Sequence, residues 1–194
     1  SYSFEDRTRS FLKVQDGCNF GCSFCTIPLA RGRSRSTDSS SVIKKLDEMI
    51  LSGSKEIVLS GINIGDFGII DGKRKESFFD LLKKIEQIRQ KIRIRISSIE
   101  PNLLDDNIIE LIGKSEKFVN HFHIPLQSGN DKILKSMSRK YDSNLYFEKI
   151  NKIRKEINNS CVGADVIVGH PGETKKDFEK TLKFIKKTNL NYLH

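Results

Sequence analysis

Short apolar runs alternate along the chain with longer stretches in which apolar residues recur every three or four positions, a rhythm that predicts strand and helix in turn. The runs predict strands over Phe11–Gln15, Glu56–Gly61, Ile92–Ser98, Val119–Pro125 and Asp165–Gly169, with a sixth opening at Asn191–His194. The stretches between them predict helices over Ser40–Ser52, Ser77–Arg89, Asp105–Lys114, Asp142–Asn158 and Lys175–Thr188. Asp105 and Asp142 stand where they can cap the helices they open, and Thr174 with Asp177 has the form of a capping pair. Strands separated by helices in regular alternation pair in parallel. Five such units and the start of a sixth strand predict an α/β fold, a partial TIM-like (β/α) barrel of about five and a half strand–helix units. In such barrels the reactive groups collect where strands end and loops begin.

At 194 residues and 37% hydrophobic content the chain holds one sizeable domain and is too short for two. It opens almost at once with a strand and stops inside another, so residues 1–194 read as a piece of a longer protein. No run approaches the ~18 apolar residues that cross a bilayer, and Ser1-Tyr2-Ser3-Phe4 does not open a signal peptide. The expectation is a cytoplasmic protein with no membrane partner. The formal charge of +9, from 34 Lys and Arg against 25 Asp and Glu, suits a polyanionic partner. Lysine pairs such as Lys83–Lys84, Lys175–Lys176 and Lys186–Lys187 fall on predicted helices, where a solvated face explains them equally well.

The chemistry concentrates after the first strand, in Asp16-Gly17-Cys18-Asn19-Phe20-Gly21-Cys22-Ser23-Phe24-Cys25. Three of the four cysteines lie within eight positions, where disulfides would close small strained loops and leave an odd thiol, so reduced, metal-bound thiolates fit better. A structural zinc site prefers four ligands in two pairs, and no second pair exists; Cys161 could serve as a distant fourth ligand, but a buried structural cysteine is the commoner fate of such a residue. A 4Fe–4S cluster normally takes four thiolates, so the C-x3-C-x2-C spacing leaves one iron open to another ligand. Gly17 and Gly21 let the loop fold tightly.

This spacing after a first barrel strand resembles the radical S-adenosylmethionine superfamily, and further segments narrow the likeness to its methylthiotransferases. They are Thr8 to Cys18, Cys25 to Ser36, Ser97-Ser98-Ile99-Glu100-Pro101, His123 to Gly129, Met137-Ser138-Arg139-Lys140-Tyr141 and Asp165 to Thr174. Ser60 to Gly68 and Gln15 to Cys18 look most like the tRNA branch that places a 2-methylthio group on N6-threonylcarbamoyladenosine beside the anticodon. The branches acting on isopentenyladenosine in tRNA and on a ribosomal protein share the cluster features and stay open as alternatives, as does a non-enzymatic zinc-binding RNA module. His170 stands where that family's turn is expected to carry an aromatic such as phenylalanine.

The resemblance implies Cys18, Cys22 and Cys25 as the catalytic cluster ligands and S-adenosylmethionine as the second cofactor. Its partners would be a tRNA anticodon loop and a reductant such as flavodoxin or ferredoxin. A second 4Fe–4S cluster would belong to an amino-terminal domain, and a carboxy-terminal RNA-binding barrel would follow; both are expected only in a full-length protein. Gly61 and Asn63 would meet the methionine amino group, with a plain strand-to-loop turn as the rival. Ser98 and Glu100 would serve the cofactor or substrate pocket, or simply turn the chain into a helix. His123, Gln127 and Ser128 would contact ribose or carboxylate, against a hydrogen-bonded core histidine. Arg139 would neutralise the cofactor carboxylate, against a surface ion pair. Gly169 and Gly172 would allow close approach of the adenosine, although a strand–helix turn uses such glycines without a ligand. Arg31, Arg33 and Arg35 would bind RNA phosphates, against solvated loop charge.

Overall fold

The expected alternation is present in the structure, a computed structural model that describes residues 2–3 and 8–194. The barrel strands are β1 (Ser10–Lys13), β2 (Glu56–Ser60), β3 (Arg93–Ile96), β4 (His121–His123), β5 (Cys161–Ala164) and β6 (Tyr192–Leu193). Parallel pairing runs β1–β2–β3 and β4–β5–β6. A parallel bridge between Ile94 and Phe118 joins the two sets, so spatial order follows chain order, as in an open segment of a barrel. Tyr2–Ser3 adds an antiparallel edge beside β1.

Seven helices connect the strands among the described residues: α1 (Ile27–Arg31), α2 (Ser39–Leu51), α3 (Phe78–Glu86), α4 (Asp106–Lys114), α5 (Asp131–Ser136), α6 (Ser143–Glu156) and α7 (Lys175–Thr188). Asp38, Asp142 and Asn130 cap their helices by accepting from backbone N–H groups. Ser77 with Asp80 and Thr174 with Asp177 form reciprocal capping boxes.

The two-residue pleat gives the curved sheet two unlike faces. Leu12, Ile57, Leu59, Ile94, Ile96, Phe122, Val162 and Ala164 point outward into one apolar cluster with Leu46, Leu81, Ile109 and Ile153 of the helices. The alternate row, read across the strand register, holds Phe11, Val58 and Arg95, then Lys13 and Ser60, then His123, Gly163 and Tyr192. Helix packing therefore uses one row only. The inner row is predominantly polar, and its side chains pair with one another and with loop residues instead of packing against helices.

Several expectations are corrected. The fifth strand is Cys161–Ala164, not Asp165–Gly169, which is the loop that follows it. Val166, Ile167 and Val168 form a β-branched run that imitates a strand, yet Val166 makes only an isolated bridge to Gln127 and Val168 is exposed. Gly163 hides the true strand by interrupting its apolar pattern. The fourth strand contracts to three residues. Asp105 stands at the start of α4 but makes no capping hydrogen bond. The short helices α1 and α5 and the hairpin Ile69–Ile70/Lys73–Arg74 were outside the pattern, each being shorter than two full periods.

Candidate active site

Where β1 ends, Gln15 and Asp16 pair antiparallel with Ser36 and Arg35, closing the cysteine segment into a loop over the end of the barrel. Gly17 makes the closure. Its φ is +69°, and a Cβ there would stand 2.2 Å from the Arg33 carbonyl oxygen, so a side chain is excluded both by the left-handed backbone and by the Gly32–Arg33 backbone opposite. The Cys18 N–H donates to the Gly32 carbonyl at 3.1 Å. Buried Gln15 ties the loop to β2: its Nε2 donates to the Gly17 carbonyl at 2.7 Å and to Ser34 Oγ at 2.9 Å, and its Oε1 accepts from the Asn63 N–H at 2.8 Å. Lys13, and then Arg35, hold the Asp16 carboxyl below the usual carboxylate range.

The sulfurs are supplied with donors. Cys18 Sγ accepts from the Phe20 N–H at 3.3 Å, and Asn63 Nδ2 lies 3.9 Å away. Burial raises the Cys18 thiol above its ordinary value. Cys22 Sγ accepts from Arg139 Nη1 at 3.1 Å. Ser23 fixes the middle of the loop to the end of α5, its N–H donating to the Met137 carbonyl at 3.1 Å and its hydroxyl to the Ser136 carbonyl at 3.0 Å.

As placed, these thiols are not gathered around a single zinc ion. Sulfurs about 2.3 Å from a tetrahedral zinc stand roughly 3.8 Å apart, whereas the only group of three metal-ligating residues gathered within 4.8 Å among the described residues is His123, Asp165 and His194. Wider spacing is what a cluster needs, because each thiolate binds a different iron. A second observation fits an amine-bearing cofactor: Asn63 Oδ1, beside Cys18, is buried without a hydrogen-bond partner, an acceptor for an ammonium group.

Arg139 is placed otherwise than expected. Its side chain is 3% exposed, and the guanidinium is shared among Glu100, the Tyr141 hydroxyl at 3.2 Å and Cys22. Those contacts use three of its five N–H donors within the protein, so it shapes the cluster loop as the partner of an internal carboxylate. Glu100, its partner, lies at the same mouth. Ser128 is also reassigned: fully buried, it bonds to Thr181 of α7 at 3.0 Å and faces away from the inner row. Gln127 adopts φ +59°, uncommon outside glycine, with its backbone clamped by Asp165 and Ile167, which aims the turn after β4.

His123 faces inward, within 2.9 Å of Asp165 and 3.2 Å of the Tyr192 hydroxyl. Ser98 lies past the end of β3; Ser97, in line with Arg93 and Arg95, continues the inner row and has a buried, unpartnered hydroxyl. Gly61 follows β2 and lies against Gln15. Gly169 and Gly172 both take positive φ in an exposed turn, where Glu173 accepts from the Gly169 N–H; His170 between them is buried. Arg31 and Arg33 are exposed, and Arg33 lines a cleft of about 530 Å³ with Cys18, Phe20 and Arg74. Arg35 is engaged by Asp16 and by the Arg31 carbonyl, both at 2.7 Å, which makes it a loop brace. Gln15, Ser97, Asp165, Tyr192 and His194 were not singled out from the sequence, although Gln15, Ser97 and Asp165 open three of the segments that carry the resemblance.

A parallel barrel segment with a three-cysteine loop over its strand ends defines the class. The Radical SAM superfamily model matches residues 12–185, and the chain belongs to that superfamily, whose cofactors are a 4Fe–4S cluster and S-adenosylmethionine. The fold agrees: the radical S-adenosylmethionine methyltransferase TsrM from Kitasatospora setae superposes with a TM-score of 0.79 at 13% identity, over 95% of this chain and 35% of that one. Among individual proteins, the chain is 45% identical to the threonylcarbamoyladenosine tRNA methylthiotransferase MtaB of Bacillus subtilis (strain 168), over 99% of this chain and 42% of that protein. It is 40% identical to the tRNA-2-methylthio-N(6)-dimethylallyladenosine synthase of Clostridium tetani, over 92% of this chain and 39% of that protein. The chain thus spans about two fifths of the length of these curated relatives. No helix among the described residues is long and apolar enough to cross a membrane.

Proposed function

We propose that this chain is the radical core of a cytoplasmic tRNA methylthiotransferase that installs a 2-methylthio group on N6-threonylcarbamoyladenosine beside the anticodon. The observation that carries the reading is the three-thiol loop standing over a polar inner face, in a chain that is 45% identical to an MtaB protein along 99% of its length. Cys18, Cys22 and Cys25 hold the cluster. Asn63 Oδ1 and the backbone at Gly61 receive the methionine amino group, and Gln15 keeps that edge against the loop. Arg139 and Glu100 fix the Cys22 side. Gly169 and Gly172 leave an open turn for the adenosine. When bound, the cluster and S-adenosylmethionine supply a carbon-centred radical; the protein's part is to orient the cofactor and keep water from it.

Exposed Arg31 and Arg33 beside the loop meet the phosphates of an anticodon stem-loop, and a small electron carrier of the flavodoxin or ferredoxin kind delivers the reducing electron. Sulfur insertion requires a second cluster outside this chain. The expected result of anaerobic iron and sulfide reconstitution with a strong reductant is therefore 5′-deoxyadenosine from S-adenosylmethionine, without thiomethylated adenosine. Failure to form deoxyadenosine refutes the catalytic reading. Thiomethylation by the chain alone refutes the dependence on a second cluster. Preference of the full-length protein for dimethylallyladenosine tRNA moves it to the branch of the Clostridium tetani relative.

A further inference from the structure

We propose that His123, Asp165 and His194 form a divalent metal site of the two-histidine, one-carboxylate kind on the inner face of the barrel, apart from the three-cysteine loop. Register brings the three residues together. His123 pairs with Gly163 of β5, and Gly163 with Tyr192 of β6. Two residues further along each strand the pleat returns to the same face, which places Asp165 beside His194. Their backbones are locked there, with the His194 N–H donating to the Ala164 carbonyl and the Val166 N–H to the His194 carbonyl, each at 2.9 Å.

The separations are those of metal ligands. His123 Nε2 lies 2.9 Å from Asp165 Oδ2, His194 Nδ1 lies 3.4 Å from Asp165 Oδ1, and one ligand atom from each residue falls within 4.8 Å of the others. Nitrogen and oxygen ligands about 2.0–2.1 Å from an ion stand roughly 3.0–3.4 Å apart when adjacent. The outer arrangement fits as well. The Tyr192 hydroxyl sits 3.2 Å from His123 Nδ1 and 2.8 Å from His121 Nε2, so it can accept the Nδ1 proton and leave the Nε2 lone pair facing inward. Gly163 makes room for this tyrosine: a Cβ there would lie 2.0 Å from Tyr192 Cζ.

Hydrogen bonds between a carboxylate and neutral imidazoles account for the same distances. Charge favours the ion. In a chain of net charge +9, Asp165 pairs with no lysine or arginine among the described residues; its oxygens meet the two histidines only. The site is open on one side, with side-chain exposure of 11% at His123, 37% at Asp165 and 67% at His194. Two imidazoles and one carboxylate select a first-row ion such as zinc, cobalt or ferrous iron over magnesium or calcium. Three protein ligands leave a position for water or for an oxygen of a substrate lying on the inner face.

The test is titration of the chain with Co2+ and Zn2+, read by calorimetry and by the visible d–d absorption of cobalt. It is run on a C18S/C22S/C25S chain, and again by calorimetry on the reconstituted chain, whose loop thiols the cluster occupies. The expected result is one ion per chain in both. D165N and H123Q should weaken binding by at least about tenfold, and Y192F by roughly 10- to 100-fold as an outer partner. Circular dichroism and denaturant midpoints confirm that each variant is folded, and Y192F, which removes one oxygen, carries the test if a ligand variant is not. The proposal is overturned by no saturable binding, by binding that D165N, H123Q and Y192F leave unchanged, or by a cobalt–thiolate band assigning the ion to Cys161.

Discussion

Replacing Arg139 by methionine should cost the unloaded, reduced chain about 3–5 kcal/mol, the usual result of removing one partner from a buried ion pair. The side chain is 3% exposed and its partner Glu100 17%, so the carboxylate left behind stays largely desolvated. Cys22 Sγ and the Tyr141 hydroxyl also lose a donor, while the tyrosine keeps its bonds to the carbonyls of Pro125 and Leu126. Against a total stability of about 5–15 kcal/mol this is a large fraction. Methionine keeps most of the volume, so a cavity contributes little. If the orphaned charge dominates, R139M/E100Q should regain about half or more of the loss, and the double-mutant cycle isolates the pair. R139K should fall in between, because one ammonium cannot serve three partners held by a planar fork. Urea unfolding followed by circular dichroism measures the apo wild type, R139M, E100Q, R139M/E100Q and R139K. A loss under about 1 kcal/mol for R139M, or no recovery in the double variant, would refute the view that Glu100 depends on Arg139.

G17A forces a side chain onto the Arg33 carbonyl and a left-handed backbone onto alanine, about 1–2 kcal/mol before any clash; iron bound per chain after reconstitution should drop more than the unfolding midpoint does. Asp80, held by Lys83 and by the Ser77 cap, has its pKa lowered from 3.8 to about 2, so it stabilises the fold above pH 4 and that contribution is lost as pH falls toward 2. The stability gap between wild type and D80N should therefore close over that window, and a gap independent of pH would contradict it. R33A should reduce the salt dependence of RNA binding by about one phosphate contact in filter-binding assays, whereas R35A should instead lower cluster loading.

The loops were legible in the sequence and the inner face was not, and particular residues say why. The cysteine spacing, the Gly-rich turns and the capping pairs are local signals, complete within a few positions. Arg139 looked like a carboxylate clamp because its partners are 39 and 117 residues away, and only the fold reveals that Glu100 and Cys22 already occupy it. Ser128 lies among residues that do face the mouth, yet one step of the turn sends it to Thr181. The true fifth strand, Cys-Val-Gly-Ala, carries little strand propensity and takes its form from the pairing on both sides, while Val166–Val168 has the propensity without the partners.

Parallel barrels usually fill their interior with branched apolar layers, and here the inner row carries Lys13, Ser60, Arg95, His121, His123 and Tyr192 beside Phe11 and Val58. Burying such a row unpaired would cost several kcal/mol for each charge. It is tolerated because its charges are paired, Lys13 with Asp16 at 2.9 Å and Arg95 with Glu56 at 2.8 Å, and because most of the apolar packing falls on the outer row, where Ile57, Leu59, Ile94 and Val162 are fully buried against helices. The same pleat that hides one row from water thus presents the other to a ligand. The cysteine loop stands at the end of that row, so chemistry begun at the loop and recognition by the strands fall on one continuous surface.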